Sequence, residues 1–324
     1  MKKLLFFVTI LTLLLSACNS DDASKEKGSS KDSSDKLAIY TTVYPLQYFA
    51  ERIGGDAVQV ASIYPAGANE HTFEPTQKDM MTLADADLFF YVGLGLEGFV
   101  ENAKKTLAKE DVQLVAVAED VTEEQLDIST GHTHAEGDEE HEHDEDETHA
   151  DHDAHVWLSP IISQQLALSI KDELVRALPE QEETFTANYN QLVADLNQLN
   201  AEFESMAQAV PKHTFFVSHA AFGYIAGHYG LTQVPVAGLN SQSEPSQKEL
   251  TEIVDLAKKE NIKYIFFEQN VSSNLTKIIQ KEIGAKTLIL HNLSVLTKED
   301  IENNEDYFTL MRKNIDALKQ ALSN

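Results

Sequence analysis

The stretch EETFTANYNQLVADLNQLNAEFESMAQA runs from Glu182 to Ala209. Leu192, Leu196, Leu199, Phe203 and Met206 recur in it at steps of three and four, with polar residues between. That spacing predicts one long helix with a single buried stripe. Pro211 stops it. At about 1.5 Å per residue the helix is roughly 40 Å long, about the height of a domain.

The same alternation of short apolar runs and helical periodicity appears on both sides of this helix. Upstream, strands are predicted at 37–43, 58–64, 87–92 and 112–117, with helices at 45–53, 76–84 and 98–108. A further helix at 161–178 ends at Pro179. Downstream, strands fall at 214–218, 233–237, 263–268 and 287–290, and helices at 220–229, 246–260, 274–283 and 307–322. Strands alternating with helices imply parallel sheets covered on both faces. The expected fold is therefore α/β with two lobes, each a roughly four-stranded parallel sheet flanked by helices, joined by one long helix. The boundaries are 37–181 for the N-terminal lobe, 182–210 for the connecting helix and 211–324 for the C-terminal lobe. A single helix between lobes limits hinge motion more than a pair of extended crossover strands.

The N-terminus carries a different signal. Lys2 and Lys3 precede an almost wholly apolar run at 4–15, too short for a membrane span of roughly 20 residues. It fits the apolar region of a secretory signal peptide over 1–17. The run closes in Leu15-Ser16-Ala17-Cys18, which resembles the lipobox of bacterial lipoproteins. The resemblance implies cleavage before Cys18 and a diacylglycerol on its sulfur, holding the chain to the outer face of the cell membrane. The plainer reading is an ordinary signal peptide with an incidental cysteine. Cys18 is the only cysteine, so no intrachain disulfide forms and packed cores must supply the stability. Residues 18–36, rich in Ser, Asp, Lys and Gly, read as a flexible tether. The formal charge of −28 argues against nucleic acid as a partner and suits a cation.

Between the lobes' elements lies a segment unlike the rest, 129–153. His132, His134, His141, His143, His149 and His152 stand there among dense carboxylates, without apolar periodicity. It reads as a loop able to collect metal ions, or else as a solvated charge run with incidental histidines.

Three histidines outside this loop share a setting. His71 follows the second strand, His155 precedes Val156-Trp157-Leu158, and His219 follows the first strand of the second lobe. In open α/β sheets ligands bind beyond the carboxyl ends of strands. His71 and His219 occupy such ends in different lobes, so a cleft between the lobes can draw on both. Neutral imidazole is a preferred zinc ligand, and a zinc site needs about four ligands. Any one of these histidines alone reads as a hydrogen-bonded surface residue.

Three segments carry a resemblance. Gly67 to Pro75 fits Gly-x-x-x-His-x-[Phe/Tyr]-Glu-Pro, Asp153 to Pro160 fits Asp-x-His-[Val/Ile]-Trp-Leu-x-Pro, and His219 to Tyr224 fits His-x-Ala-[Phe/Tyr]-x-Tyr. Together they resemble the metal-binding solute-binding proteins of bacterial ABC importers whose lobes are joined by a rigid helix, and most closely the zinc branch, ZnuA-like and AdcA-like. The resemblance covers the chain from about Leu37 to the C-terminus. It implies a monomeric, extracytoplasmic, non-enzymatic receptor that binds Zn2+ through His71, His155 and His219 and delivers it to an ABC permease. In the manganese branch a carboxylate usually stands at the position of His219, so imidazole there points to zinc. The family often takes a fourth ligand from the turn after the last strand, where this chain reads Leu290-His291-Asn292-Leu293-Ser294. The expectation is that His291 approaches the ion, directly or beside a water, with Glu70 or water as the alternative and Glu268 as a further carboxylate.

Rival readings remain on the sequence alone. Gly93-Leu94-Gly95-Leu96-Glu97-Gly98 matches a dinucleotide fingerprint, but it follows the third strand and not the first. A zinc hydrolase would use Glu70 as base, yet the chain has neither H-E-x-x-H nor G-x-S-x-G. A manganese or iron receptor, a surface adhesin and a metal buffer complete the alternatives.

Overall fold

The computed structural model describes residues 36–130, 152–241, 245–269 and 273–324. The signal segment, Cys18, and His132, His134, His141, His143 and His149 lie outside the described residues.

The chain opens with β1 (Leu37–Thr41), α1 (Tyr44–Gly54), β2 (Val58–Ser62), α2 (Gln77–Ala84), β3 (Leu88–Tyr91), α3 (Val100–Thr106) and β4 (Gln113–Ala116). The strands form one parallel sheet in the order β2-β1-β3-β4, with Leu37 opposite Val58 and Ile39 opposite Leu88. β3 is buried along its whole length, which is why Leu-Phe-Phe-Tyr carries no polar alternation. A short α4 (Glu123–Leu126) leads out of this lobe, and α5 (Pro160–Ala177) and α6 (Glu182–Ala209) follow. Ser159 caps α5, its Oγ accepting from the Ile162 amide, and Pro160 fits the first helical position.

The second lobe repeats the plan with β5 (Thr214–His219), α7 (Gly223–His228), β6 (Thr232–Ala237), α8 (Gln247–Lys259), β7 (Tyr264–Phe267), α9 (Asn274–Ile283) and β8 (Lys286–Ile289). Its sheet is parallel in the order β6-β5-β7-β8, the same order as the first. A short α10 (Lys298–Glu302) and a terminal α11 (Tyr307–Leu322) complete the chain.

Element ends differ from the sequence-based boundaries for local reasons. α7 starts at Gly223 and not at residue 220, because His219 remains in β5 and Ala220 to Phe222 form the turn after it. α4 and α10 are too short for periodicity to register, but each begins at a capping box, Thr122 with Gln125 and Thr297 with Asp300.

The apolar stripe of the 28-residue α6 is fully used. Leu192, Leu196, Leu199 and Phe203 are buried, and the helix lies against α1, α5 and α11. Polar ties hold its flanks: Arg52 to Asp195 at 2.7 Å, and Arg312 to both oxygens of Glu202. α11 returns to the first lobe. Tyr307 packs edge-on against Phe49 with centroids 5.1 Å apart, and its hydroxyl donates to the Trp157 carbonyl at 2.9 Å. One large core therefore runs through both lobes. A separate small core of Phe216, Val236, Ala257, Ile265, Ile279 and Ala285 lies beneath α8 and α9. Among the described residues no helix is long and apolar enough to cross a membrane.

The glycine-rich turn after β3 is filled from within. Glu97 accepts from the amides of Val92 and Gly93 and from the Thr42 hydroxyl. Two amides at the entrance of this turn are thus engaged by the chain's own carboxylate, which argues against a dinucleotide there.

Candidate metal centre

His219 is the last residue of β5 and is fully buried. His71 lies in the connection between β2 and α2. Its amide donates to the Asn69 side-chain oxygen at 3.0 Å, a local turn that presents the imidazole. His155 stands immediately before a single 3-10 turn, Val156–Leu158, that feeds α5. Fold topology brings these three positions together. His155 Nε2 lies 3.2 Å from His71 Nε2 and 3.3 Å from His219 Nε2. Two nitrogens that each lie about 2.0–2.1 Å from one tetrahedral ion are separated by about 3.3 Å. One candidate ligand atom from each of Glu70, His71, His155 and His219 falls within 4.8 Å of the others.

Carboxylates orient two of the imidazoles. Asp153 Oδ1 accepts from His155 Nδ1 at 2.7 Å and from the His155 amide, while its Oδ2 accepts from Ser129. Glu268 Oε1 accepts from His219 Nδ1 at 2.7 Å and from the Ser218 hydroxyl. Each pair leaves Nε2 directed at the centre, the usual arrangement behind a metal-ligating histidine. Gly223 makes room for this support: a Cβ there would lie 2.1 Å from Ser129 Oγ and 2.9 Å from Asp153 Oδ2.

The electrostatics of the three rings differ. Burial pushes the His71 pKa down to about 2, with His155 and His219 beside it acting in the same direction. Burial also pulls on His219, but the Glu268 carboxylate outweighs it and leaves the imidazole above its ordinary value. Glu268 is correspondingly held below its usual range despite burial, through the His219 charge and hydrogen bond.

Glu70 is buried and belongs to the cluster, with Oε1 3.9 Å from His71 Nε2. Glu268 stands behind His219 and is not among the four. His291 is not gathered with these four residues. Its Nδ1 accepts from the Leu293 amide at 2.9 Å and its Nε2 pairs with Asp300 at 3.1 Å, so both ring nitrogens are turned to the turn's own framework. His152 forms a second, largely exposed group with Glu123 and Asp127 and pairs with Glu123 at 2.9 Å.

Sequence reasoning missed Asn292. This fully buried side chain donates to Glu70 Oε1 at 3.1 Å and to Glu268 Oε2 at 3.0 Å, and the residue's main-chain carbonyl receives the Trp157 indole N–H at 2.7 Å. Its partners are far away in sequence, and no local spacing announces them. Ser294, which donates to Glu70 Oε2 at 2.9 Å, escaped for the same reason.

Residues 39–321 match the model of the zinc-uptake complex component A periplasmic family, ZnuA. The chain belongs to that family. Among its relatives, the high-affinity zinc uptake system protein ZnuA of Bacillus subtilis (strain 168) is 37% identical over 318 residues, covering 98% of this chain and 97% of the relative. The zinc-binding lipoprotein AdcA of Streptococcus pneumoniae (strain ATCC BAA-255 / R6) is 36% identical over 322 residues, covering 99% of this chain but 61% of AdcA, so this chain spans less than two thirds of that relative. The crystal structure of the Zn(II)-bound ZnuA-like domain of Streptococcus pneumoniae AdcA superposes with a TM-score of 0.71 at 33% identity, covering 90% of this chain and all of that one. The two-lobed, helix-linked fold is thus the fold of this family.

Proposed function

We propose that this protein is the extracytoplasmic zinc receptor of an ABC importer. It captures Zn2+ between its lobes with His71, His155, His219 and Glu70 and hands it to a membrane permease. Zinc is the cargo here and not a resident cofactor. The observation that carries the reading is the convergence of three imidazoles, with His155 Nε2 at 3.2 and 3.3 Å from the Nε2 atoms of His71 and His219, beside one buried carboxylate. Three imidazoles favour zinc and its late-row neighbours over manganese, which prefers oxygen. Both Glu70 oxygens accept hydrogen bonds from Asn292 and Ser294. That suits a fixed ligand better than the base a hydrolase requires. The names of the relatives, a zinc uptake protein and a zinc-binding lipoprotein, point the same way. Lipid attachment at Cys18, a tether over 18–36 and a monomeric state complete the proposal, as does a metal-collecting role for the histidines of 129–153.

The test is a titration of metal-stripped protein with Zn2+ and with Mn2+, together with the metal content of protein purified without added metal. The expected result is one tightly held zinc and weaker manganese. Tighter manganese, or turnover of an ester, peptide or lactam, would overturn the reading.

A further inference from the structure

The turn after β8 faces the candidate centre, yet what it offers there is hydrogen-bond donors. Asn314 of α11 clamps the turn by accepting from the His291 amide at 2.7 Å and donating to the His291 carbonyl at 2.8 Å. Leu293 is buried and adopts a φ of 58°, a left-handed conformation unusual for a branched side chain. His291 is directed to Asp300, whereas Asn292 and Ser294 are directed to Glu70. The Asn292 side-chain oxygen is itself engaged, by Gln269 Nε2 at 2.8 Å and by the Ser294 amide at 3.1 Å. It is not positioned as a spare ligand.

Glu70 therefore has one donor on each oxygen: the Asn292 amide on Oε1 and the Ser294 hydroxyl on Oε2. Two donors on opposite oxygens fix the rotation of the carboxylate plane. A carboxylate that chelates an ion must turn both oxygens toward it at equal distance. Held at both ends, Glu70 presents one oxygen and keeps the other on Ser294. The ligand set then comprises three imidazoles and one carboxylate oxygen, the count a tetrahedral zinc site takes. Ions that prefer six oxygen-rich ligands gain less from such a set.

We propose that Asn292 and Ser294 set the coordination number of this site by restricting Glu70 to a single oxygen, and thereby act as selectivity-determining positioning residues. The proposal rests on reading the four-residue cluster as the metal site. Releasing Glu70 Oε2 lets the carboxylate chelate, raises the coordination number and weakens the preference for zinc.

The decisive experiment loads Co2+ into metal-stripped wild type, Ser294→Ala, Ser294→Thr and Asn292→Ala, and records visible absorption, with Zn2+ and Mn2+ affinities for each. Cobalt reports geometry directly, since four-coordinate sites absorb far more strongly than six-coordinate ones. Wild type should show the intense four-coordinate bands. Ser294→Ala should lose much of that intensity, and its zinc-to-manganese affinity ratio should fall about tenfold, the low end of what loss of a group supporting a metal ligand costs. Ser294→Thr keeps the hydroxyl and should restore both. Asn292→Ala should resemble Ser294→Ala; if it does not fold, the serine pair decides alone. Wild-type bands and wild-type ratio in Ser294→Ala would overturn the proposal while leaving the metal site standing. A wild-type protein that takes up neither cobalt nor zinc at one site would overturn both.

Discussion

The two sides of the centre are built differently although the two sheets share one strand order. On the C-terminal side, His219 ends the interior strand β5 and is locked from the neighbouring strand's end by Glu268. On the N-terminal side, His71 lies in the long connection after β2, an edge strand, and is held through its main chain by Asn69. The same Asn69 donates from its Nδ2 to Ser241 Oγ at 3.0 Å, on the loop after β6, and so spans the cleft. One half of the site is a fixed socket. The other half is a loop whose placement depends on the lobes being together. That division suits a receptor that must hold an ion and later release it, because only one side needs to move.

The largest effects should come from the two imidazoles backed by carboxylates, His219 on the C-terminal side and His155 on the N-terminal side. His219→Ala and His155→Ala should weaken zinc binding by more than the roughly 100-fold that bounds loss of a supporting group. His71→Ala should retain more residual binding, because the two carboxylate-backed imidazoles stay in place. Calorimetry of the three variants checks the order, and equal losses would erase the distinction between the carboxylate-backed imidazoles and His71. Next in size, Glu268→Gln should cost about 10–100-fold in zinc affinity, since it removes the charge behind His219 while keeping its shape.

The pH response sharpens the same contrast. His71, pushed down to about 2, is neutral throughout the usable range. His219 holds its proton to higher pH than an ordinary histidine because Glu268 outweighs burial. A proton on His219 Nε2 stands where the ion would bind, so binding must expel it. Affinity should be level above the raised His219 pKa and fall below it, up to about tenfold per pH unit for one proton. The fall should begin above the ordinary imidazole value of about 6.5, and Glu268→Gln should shift its onset downward. Proton release measured in buffers of different ionisation enthalpy reads this directly. A level affinity from about pH 8 to about pH 6 would contradict the assignment.

Smaller effects belong to the loop side. Asn69→Ala should raise the zinc dissociation rate several-fold with little change in association, because it unties His71 and the contact to Ser241 together. Stopped-flow release into a chelator tests this. Smallest of all, deleting residues 131–151 should leave the tight site's affinity unchanged and lower only the total zinc bound. Loss of the tight site would mean that the segment holds the transported ion.

Much of this architecture is legible without coordinates. The α6 periodicity announces the helix between lobes because a 28-residue amphipathic stripe has few other ways to bury itself. The alternating strands and helices announce parallel sheets, and His71, His155 and His219 are marked by their neighbours in sequence. The short α4 and α10 were not legible, since four or five residues cannot display a period. Nor was the orientation of the turn after β8. His291 there carries the right chemistry for a ligand, but its ring is captured by Asp300 and the Leu293 amide.

The sequence by itself determined the longer elements, their order and the three histidines, because periodicity and local motifs are properties of neighbouring residues. Tertiary structure alone decided that Glu70 joins the histidines, that Glu268 and Asp153 stand behind them, and that Asn292 and Ser294 hold Glu70 in place. Asn292 and Glu70 are separated by 222 positions, and Ser294 and Glu70 by 224. Hydrogen bonds over such spans depend on how two sheets and a terminal helix pack, and no window of sequence contains that packing.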